Sequence, residues 1–196
     1  MADVHDVAAA LLAATGPESP MKLQKLLYYS QAWHLAGHGT PLFDAPIEAW
    51  RRGPVVPEVY RRHEGQHEVH SWEEGDPAGL TGAECAVVAS VVERYAGFSR
   101  HELSEMAHEE EPWRSARGGL ADSEPSSAPI RHEVMRRYFR RLTSDPETAV
   151  AEARASVGLE GLVVSADAVA AARAVVRGEV GADEAVAQRI EALLRS

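Results

Sequence analysis

Residues 21–36 read MKLQKLLYYSQAWHLA, and this stretch decides the fold class. Apolar side chains recur in it at helical spacing, at Leu23, Leu26 and Leu27, which predicts one long helix. Residues 4–12 keep the same spacing, and a Gly-Pro pair ends that earlier helix. The chain is therefore expected to open with two helices joined by a tight turn.

Helical periodicity also dominates the rest of the chain, and strands are scarce. Only Ile47-Glu48-Ala49-Trp50 alternates as a strand does, and Gly53-Pro54 is expected to begin a helix at Val55. Further helices are predicted over about 81–95, 100–107 and 130–142, with a loop at 118–129. The expected fold class is mainly α, a compact helical domain with at most a minor β hairpin.

Composition and charge limit the classes of function. The 196 residues are 45% hydrophobic and 26% charged, as in a globular protein that folds without metal or disulfide bonds. The net charge of −10 makes nucleic acid an unlikely ligand and favours a basic protein partner, because neutralising phosphates requires an excess of Lys and Arg. With one cysteine and no leading signal-like segment, a cytoplasmic location without membrane contact is expected.

A change of composition predicts two domains. Thr143-Ser144-Asp145-Pro146 favours a turn, and the sequence becomes rich in Ala and Val beyond it. We therefore expect one domain at 1–143 and a smaller one at 144–196.

Several separate blocks of the first domain match a known family in order. They are residues 21–33, Pro41-Leu42-Phe43, the stretch 47–60 that reads IEAWRRGPVVPEVY, and later Pro112-Trp113. Together these blocks resemble the Panacea domain, also called the SocA-type antitoxin domain. The resemblance implies an antitoxin with motif positions at Lys22, Leu23, Gln24, Lys25, Tyr28, Tyr29, Trp50, Gly53, Pro54, Val55, Pro57, Tyr60 and Trp113.

The polar and apolar members of this motif lead to different expectations. Large apolar residues such as Leu23 and Trp50 are expected in the core, where burial gains most. Lys22, Gln24 and Lys25 share a helix with them, and they form either a solvated face or a polar surface that the family uses.

Backbone chemistry explains two further motif positions, Gly53 and Pro54. Gly53 permits an unusual backbone angle, and Pro54 starts a helix without losing a needed donor. Whether Tyr60 and Trp113 lie at an interface stays open.

A second motif, Ser156-Val157-Gly158-Leu159-Glu160-Gly161, lies near the end of the chain. On a helix, Ser156 and Glu160 face the same way because they are four residues apart, and Gly161 can end the turn. Leu159 and Leu162 flank them as apolar anchors. Such a helix suits an inhibitory plug that inserts one negative charge into a partner's site.

The segment from about Glu152 to Leu194 resembles the small VbhA-like antitoxins, whose signature is Ser/Thr-x-x-x-Glu-Gly/Asn and which inhibit Fic-domain adenylyltransferases. The resemblance implies a small three-helix appendage that docks on the toxin. In that mechanism Glu160 pairs with a toxin arginine that otherwise positions the γ-phosphate of ATP. The chain is thus expected to be an antitoxin rather than an enzyme, with a Fic-type toxin as partner and no cofactor or metal.

Two alternatives stay open. In the first, the Panacea-like domain neutralises a non-Fic toxin itself, by direct binding or as an adaptor that presents the toxin to a cellular protease. In the second, His63-Glu64-Gly65-Gln66-His67 fits by letters the zinc-peptidase pattern His-Glu-x-x-His. Gly65 weakens that helix at its centre and the flanks are charged, so a polar helix end is expected there instead.

Three groups outside these motifs are expected to be structural. Cys85 shares an apolar stripe with Val88 and is expected to be a small core residue. Glu109-Glu110-Glu111 is expected to be a solvated helix end, because adjacent carboxylates point in different directions. The arginines in 136–141 are expected to pair with local acids or a protein surface.

Overall fold

The computed structural model describes residues 1–121, 123–143 and 170. Within these residues the chain is mainly helical, which confirms the predicted fold class. The elements are α1 (Val4–Thr15), α2 (Pro20–His38), β1 (Glu48–Trp50), β2 (Gly53–Val55), α3 (Pro57–His63), a 3-10 turn (Pro77–Gly79), α4 (Gly82–Tyr95), α5 (Arg100–Glu109), α6 (Glu111–Arg117) and α7 (His132–Thr143). None of the described helices is long and apolar enough to span a membrane.

The chain divides into two units, Met1–Arg140 and Arg141–Ser196. The assignment of domains to 1–143 and 144–196 stays a prediction. The three-helix appendage expected near the C-terminus lies outside the described residues, and every element from α1 to α7 begins in the first unit.

Local sequence signals set the starts of the helices. The side chain of Ser19 caps α2, and Pro20 follows at the first helical position, where its missing N–H costs nothing. At α4, Thr81 accepts a hydrogen bond from the backbone of Glu84, whose carboxylate accepts from the backbone of Thr81 at 2.8 Å. The same reciprocal arrangement begins α5. Both capping boxes are legible in the sequence as Ser or Thr followed three residues later by Glu.

Helix α2 runs through the middle of the first unit. Every residue from 23 to 32 is buried, because α1, α3, α4, α5 and β2 all pack around this helix. Leu23, Leu26 and Leu27 have no exposed surface, as predicted. Gln24 and Lys25 are buried with them, so a solvated face at these two positions is wrong.

Gln31 shows how a polar residue is accommodated inside this helix. Its side-chain oxygen accepts hydrogen bonds from the backbone N–H groups of Leu42 at 2.7 Å and Phe43 at 3.2 Å. Its nitrogen donates to the carbonyl oxygen of Phe43 at 2.9 Å. The buried amide thereby holds the segment that leads into the hairpin against α2.

The predicted hairpin is present, but the helix expected to begin at Val55 is wrong, since β2 occupies Gly53–Val55 and α3 begins at Pro57. In the antiparallel register Ala49 lies opposite Pro54. Ala49 directs its N–H to the carbonyl oxygen of Ala128 at 2.8 Å, on the other side of β1. Pro54 therefore leaves no ladder hydrogen bond unmade, which is the condition for proline in a strand.

One helix was missed by the sequence analysis, and one residue was assigned wrongly to the core. Helix α6 is not predicted from periodicity, because its two turns are too short to show a repeat. Cys85 is exposed rather than part of the core. The buried face of α4 is formed instead by Glu84, Val88, Val91 and Tyr95.

Helix α7 packs on the core through Phe139, which has no exposed surface. Its ring meets those of Trp33 and Tyr28 edge to face, with centroids 5.1 and 5.9 Å apart. On the outer side of the helix, Arg137 forms an ion pair with Glu111, as expected for this basic segment.

Replacing Phe139 with Ala is expected to destabilise the chain by about 3–5 kcal/mol, because it leaves a cavity among buried aromatic rings. Leu142→Ala is the matched control on the same helix; since Leu142 is 57% exposed, its change should stay within about 0.5 kcal/mol. Urea unfolding followed by circular dichroism measures both. Equal effects would mean that α7 does not pack on the core through Phe139.

Candidate functional site

The Panacea-like motif residues converge on the first turns of α2, the hairpin and α3. Lys25 is fully buried, and its amino group donates a hydrogen bond to the carbonyl oxygen of Pro54 at 2.9 Å. Burial lowers the pKa of Lys25 to about 7, because the ammonium loses its hydration. Lys25 thus ties the hairpin to α2, and both of its protonation states are populated near neutral pH.

Gln24 makes a second tie, just beyond the end of β2. Its oxygen accepts from the backbone N–H of Val56 at 2.7 Å, which fixes the orientation of the amide. Its nitrogen lies 2.8 Å from Nε2 of His63 and is the donor, so this ring nitrogen is unprotonated. Burial also lowers the pKa of His63, which keeps the ring neutral.

Gly53 is required at its position for two reasons. Its φ angle is 98°, in the left-handed region that favours glycine. A Cβ atom there would lie 2.6 Å from Cε and 2.9 Å from Nζ of Lys25. The lysine cannot withdraw without breaking its bond to Pro54, so the glycine and the buried lysine depend on each other.

A buried carboxylate forms a further polar cluster one turn along α2 from Lys25. Tyr28 donates a hydrogen bond to Glu110 at 2.6 Å, and Tyr29 donates to its second oxygen at 3.2 Å. Burial raises the pKa of Glu110 to about 7, although the two hydroxyl groups act in the opposite direction. The expected solvated helix end is therefore wrong for Glu110, while Glu109 is exposed.

The sequence analysis missed the role of Glu110, and nothing in the spacing of the three acidic residues singles it out. Adjacent carboxylates do point in different directions, as expected. One of those directions is inward: Glu110 lies at the junction between α5 and α6, and its carboxylate reaches the two tyrosines of α2.

Three of the five aromatic motif residues are buried, Tyr28, Tyr29 and Trp113, whereas Trp50 and Tyr60 are half-buried, so the core position expected for Trp50 is wrong. Trp113 is 2% exposed and donates its indole hydrogen bond to the carbonyl oxygen of Trp50 at 2.9 Å, so it supports the hairpin rather than an interface. The rings of Trp50 and Tyr60 meet edge to face with centroids 4.8 Å apart. Lys22 lies apart from this cluster, where its amino group pairs with Glu18 at 2.8 Å.

A surface groove of about 380 Å³ opens where these elements meet. Its lining combines motif residues from α2, the hairpin and α3 with the two arginines of the hairpin turn. The lining residues are Pro20, Met21, Gln24, Lys25, Trp50, Arg51, Arg52, Val55, Tyr60 and His63.

The zinc-peptidase pattern does not form a metal site here. Helix α3 ends at His63, and Gly65 has a φ angle of 82°, so the two histidines do not share a helix. Among the described residues, no group of three or more His, Cys, Asp or Glu is placed to hold a metal ion.

The second motif cannot be placed in this geometry. Ser156, Leu159, Glu160, Gly161 and Leu162 lie outside the described residues. Their assignment as inhibitory and docking residues stays a prediction.

In comparisons with known proteins, two regions of the chain match antitoxin families. Residues 23–114 match the family described as "Antitoxin SocA-like, Panacea domain". Residues 147–192 match the family described as "Antitoxin VbhA". Both resemblances seen in the sequence are thereby confirmed. The groove lies largely within the first matched range, and the signature from Ser156 to Gly161 lies within the second.

One curated relative is Antitoxin SocA of Caulobacter vibrioides (strain NA1000 / CB15N). The chain is 49% identical to it over 45 residues, which are 23% of this chain and 24% of the relative. The alignment thus spans about a quarter of the length of that protein. No solved structure gives a significant match.

Gly53→Ala is expected to lower the free energy of unfolding by about 2–4 kcal/mol. A positive φ angle costs a residue with a side chain about 1–3 kcal/mol, and the contact with Lys25 adds strain of similar size. Gly37→Ala, within α2 and with nothing within 4 Å of its added Cβ, is the control and should be neutral or stabilising by up to about 1 kcal/mol. Chemical denaturation compares the two, and similar effects would contradict the close approach of Gly53 to Lys25.

Glu110→Gln is expected to change how stability depends on pH. Because the folded-state pKa of Glu110 is raised from 4.5 to about 7, the native state binds more protons than the unfolded state in this window. The stabilising contribution is complete below the window and is lost as pH rises through it, amounting to about 3 kcal/mol.

The measurement is urea unfolding at about pH 5 and about pH 8, since these values bracket the folded-state pKa. The wild type should lose more stability than Glu110→Gln between the two conditions. Glu105→Gln, at an exposed position of α5, should behave as the wild type does. Parallel pH profiles for the wild type and Glu110→Gln would show that the Glu110 carboxyl does not titrate in a buried site.

Proposed function

We propose that this chain is an antitoxin that binds and inhibits a Fic-type adenylyltransferase toxin through the helix from Ser156 to Gly161. The observation that carries the proposal is the family match over residues 147–192, which contains the complete signature. The match of 23–114 to a second antitoxin family supports the same class. The proposal places the inhibited reaction in the cytoplasm, where the ATP that adenylyl transfer consumes is available.

In the proposed mechanism Glu160 supplies the inhibitory charge. Its carboxylate pairs with a toxin arginine that otherwise contacts the γ-phosphate of ATP, and the nucleotide is held in an unreactive position. A carboxylate suits this role because it matches the guanidinium with two parallel hydrogen bonds. The chain therefore acts by binding, without catalysis or a cofactor.

Docking and inhibition are assigned to different residues of the same segment. Leu159 and Leu162 bury apolar surface on the toxin, as anchor residues of a helix in a groove do. Glu160 misplaces the nucleotide, and the small residue Gly161 ends the turn.

A second candidate function uses the body of the chain. In this alternative, the Panacea-like region neutralises a non-Fic toxin directly, or acts as an adaptor that presents the toxin to a cellular protease. The match of 23–114 and the similarity to Antitoxin SocA favour it.

Glu160→Gly is expected to abolish inhibition while a complex still forms. Removing one member of a buried charge pair costs about 2–5 kcal/mol, and the apolar anchors supply the remaining affinity. The measurement is AMP transfer by the toxin encoded beside this protein, with calorimetry for binding. Glu152→Gly, in the same matched segment but outside the signature, is the control and should inhibit fully. Loss of the complex by Glu160→Gly alone would contradict this division of roles.

A chain that ends at Thr143 separates the two candidate functions. Under the leading proposal it no longer inhibits, whereas under the alternative it still neutralises the toxin. Its unfolding should be compared with that of the full chain, so that loss of folding is not taken for loss of function. Equal neutralisation by the full chain, Glu160→Gly and this truncation would assign the neutralising function to the Panacea-like region.

A further inference from the structure

The groove between α2, the hairpin and α3 has the construction of a binding site. Its apolar wall is formed by Trp50 and Tyr60, and the indole of Trp50 is held in place by a hydrogen bond of 2.7 Å to Glu48. Gln24 and Lys25 fix the strand and the turn that form the other side. A largely preformed apolar groove with a few polar groups is typical of a ligand site.

The rim of the groove is basic although the chain is acidic overall. Arg51 and Arg52 are exposed on the hairpin turn, and Lys25 lies at the floor. Among the described residues that line the groove, none carries a carboxylate, although the chain has a net charge of −10. Neither arginine forms an ion pair with another described residue, so both are available to an incoming anion.

The position of the turn is fixed independently of any ligand. The hydroxyl of Ser104 on α5 donates to the carbonyl oxygen of Arg52 at 2.9 Å. The next two residues, Gly53 and Pro54, are held against Lys25. A fixed backbone lowers the entropy that is lost when the two guanidinium groups bind a ligand.

We propose that this groove binds an extended segment of a protein partner in which a carboxylate lies next to an apolar or aromatic side chain. The carboxylate meets Arg51 and Arg52, whose guanidinium groups bind such an anion with paired hydrogen bonds. The apolar side chain packs against the wall that the contacting rings of Trp50 and Tyr60 form. Because the rim is exposed, the main chain of the partner runs across the groove while only its side chains enter.

The first experiment tests the chemistry with a matched pair of small probes on the full chain. The probes are 3-phenylpropionate and 3-phenylpropionamide, which differ in charge but have nearly the same shape. Nitrogen-15 NMR follows the indole N–H of Trp50, assigned with the variant Trp50→Phe. The acid is expected to shift this signal saturably at millimolar concentration, and the amide to bind at least about 10-fold more weakly. No shift with the acid, or equal binding of both probes, overturns the proposal.

Arginine variants locate the anion. Arg51→Ala combined with Arg52→Ala should remove the preference for the acid. Arg61→Ala, an exposed arginine on α3 that does not line the groove, is the matched control and should retain it. An unchanged preference in the double variant overturns the assignment of the carboxylate to the hairpin turn.

The second experiment tests the protein source of the ligand and rests on the proposed function, because it uses the cognate toxin. Charge reversal at both positions, Arg51→Glu with Arg52→Glu, should weaken toxin binding at least about 10-fold, since like charges then face each other. Arg61→Glu should bind as the wild type does.

The outcomes of this second experiment are distinct. If the wild type binds the toxin and the charge reversal changes nothing, the proposal that the groove binds a segment of a protein partner is overturned. If the wild type itself fails to bind, the proposed function fails, and the probe experiment decides whether the groove recognises carboxylates.

Discussion

The burial of α2 on all sides is the constraint on which the rest of the first unit depends. A helix whose residues 23–32 are all buried must satisfy its polar side chains inside the protein, because an unpaired buried polar group costs about 1–3 kcal/mol. Gln24, Lys25 and Gln31 meet this requirement by bonding to the backbone of the segments around the hairpin. Strands as short as β1 and β2 are not stable alone. The hairpin is therefore positioned by α2 more than by its own sheet.

This dependence explains what the sequence could and could not predict. Helices α1, α2, α4, α5 and α7 are evident from periodicity or capping residues, which are local properties. The burial of Gln24, Lys25 and Glu110 is not local, since it depends on which elements close around α2. The helix predicted to begin at Val55 was wrong for a related reason. A Gly-Pro pair such as Gly53-Pro54 can begin a helix, but it can also follow the turn between two strands. The family resemblance identified half of the residues that line the groove, without giving a physical reason for them, and it did not single out Arg51 and Arg52.

The two proposed recognition sites carry opposite charges. The proposed inhibitory motif contains the carboxylate of Glu160, whereas the groove presents Arg51 and Arg52 beside aromatic rings. Both proposed arrangements combine an apolar anchor with one kind of charge, which favours specificity because a partner that lacks either feature loses part of the interaction. An antitoxin with two such sites would bind its partners through two separate contacts.

The approach of Gly53 to Lys25 has a consequence for how such chains change over time. A side chain can be introduced at position 53 only after the residue at position 25 has become shorter, and a shorter residue at 25 releases the carbonyl of Pro54. Neither substitution is neutral without the other, so a lineage has to pass through a less stable intermediate to exchange the pair. The two positions, distant in sequence, are therefore expected to be inherited together.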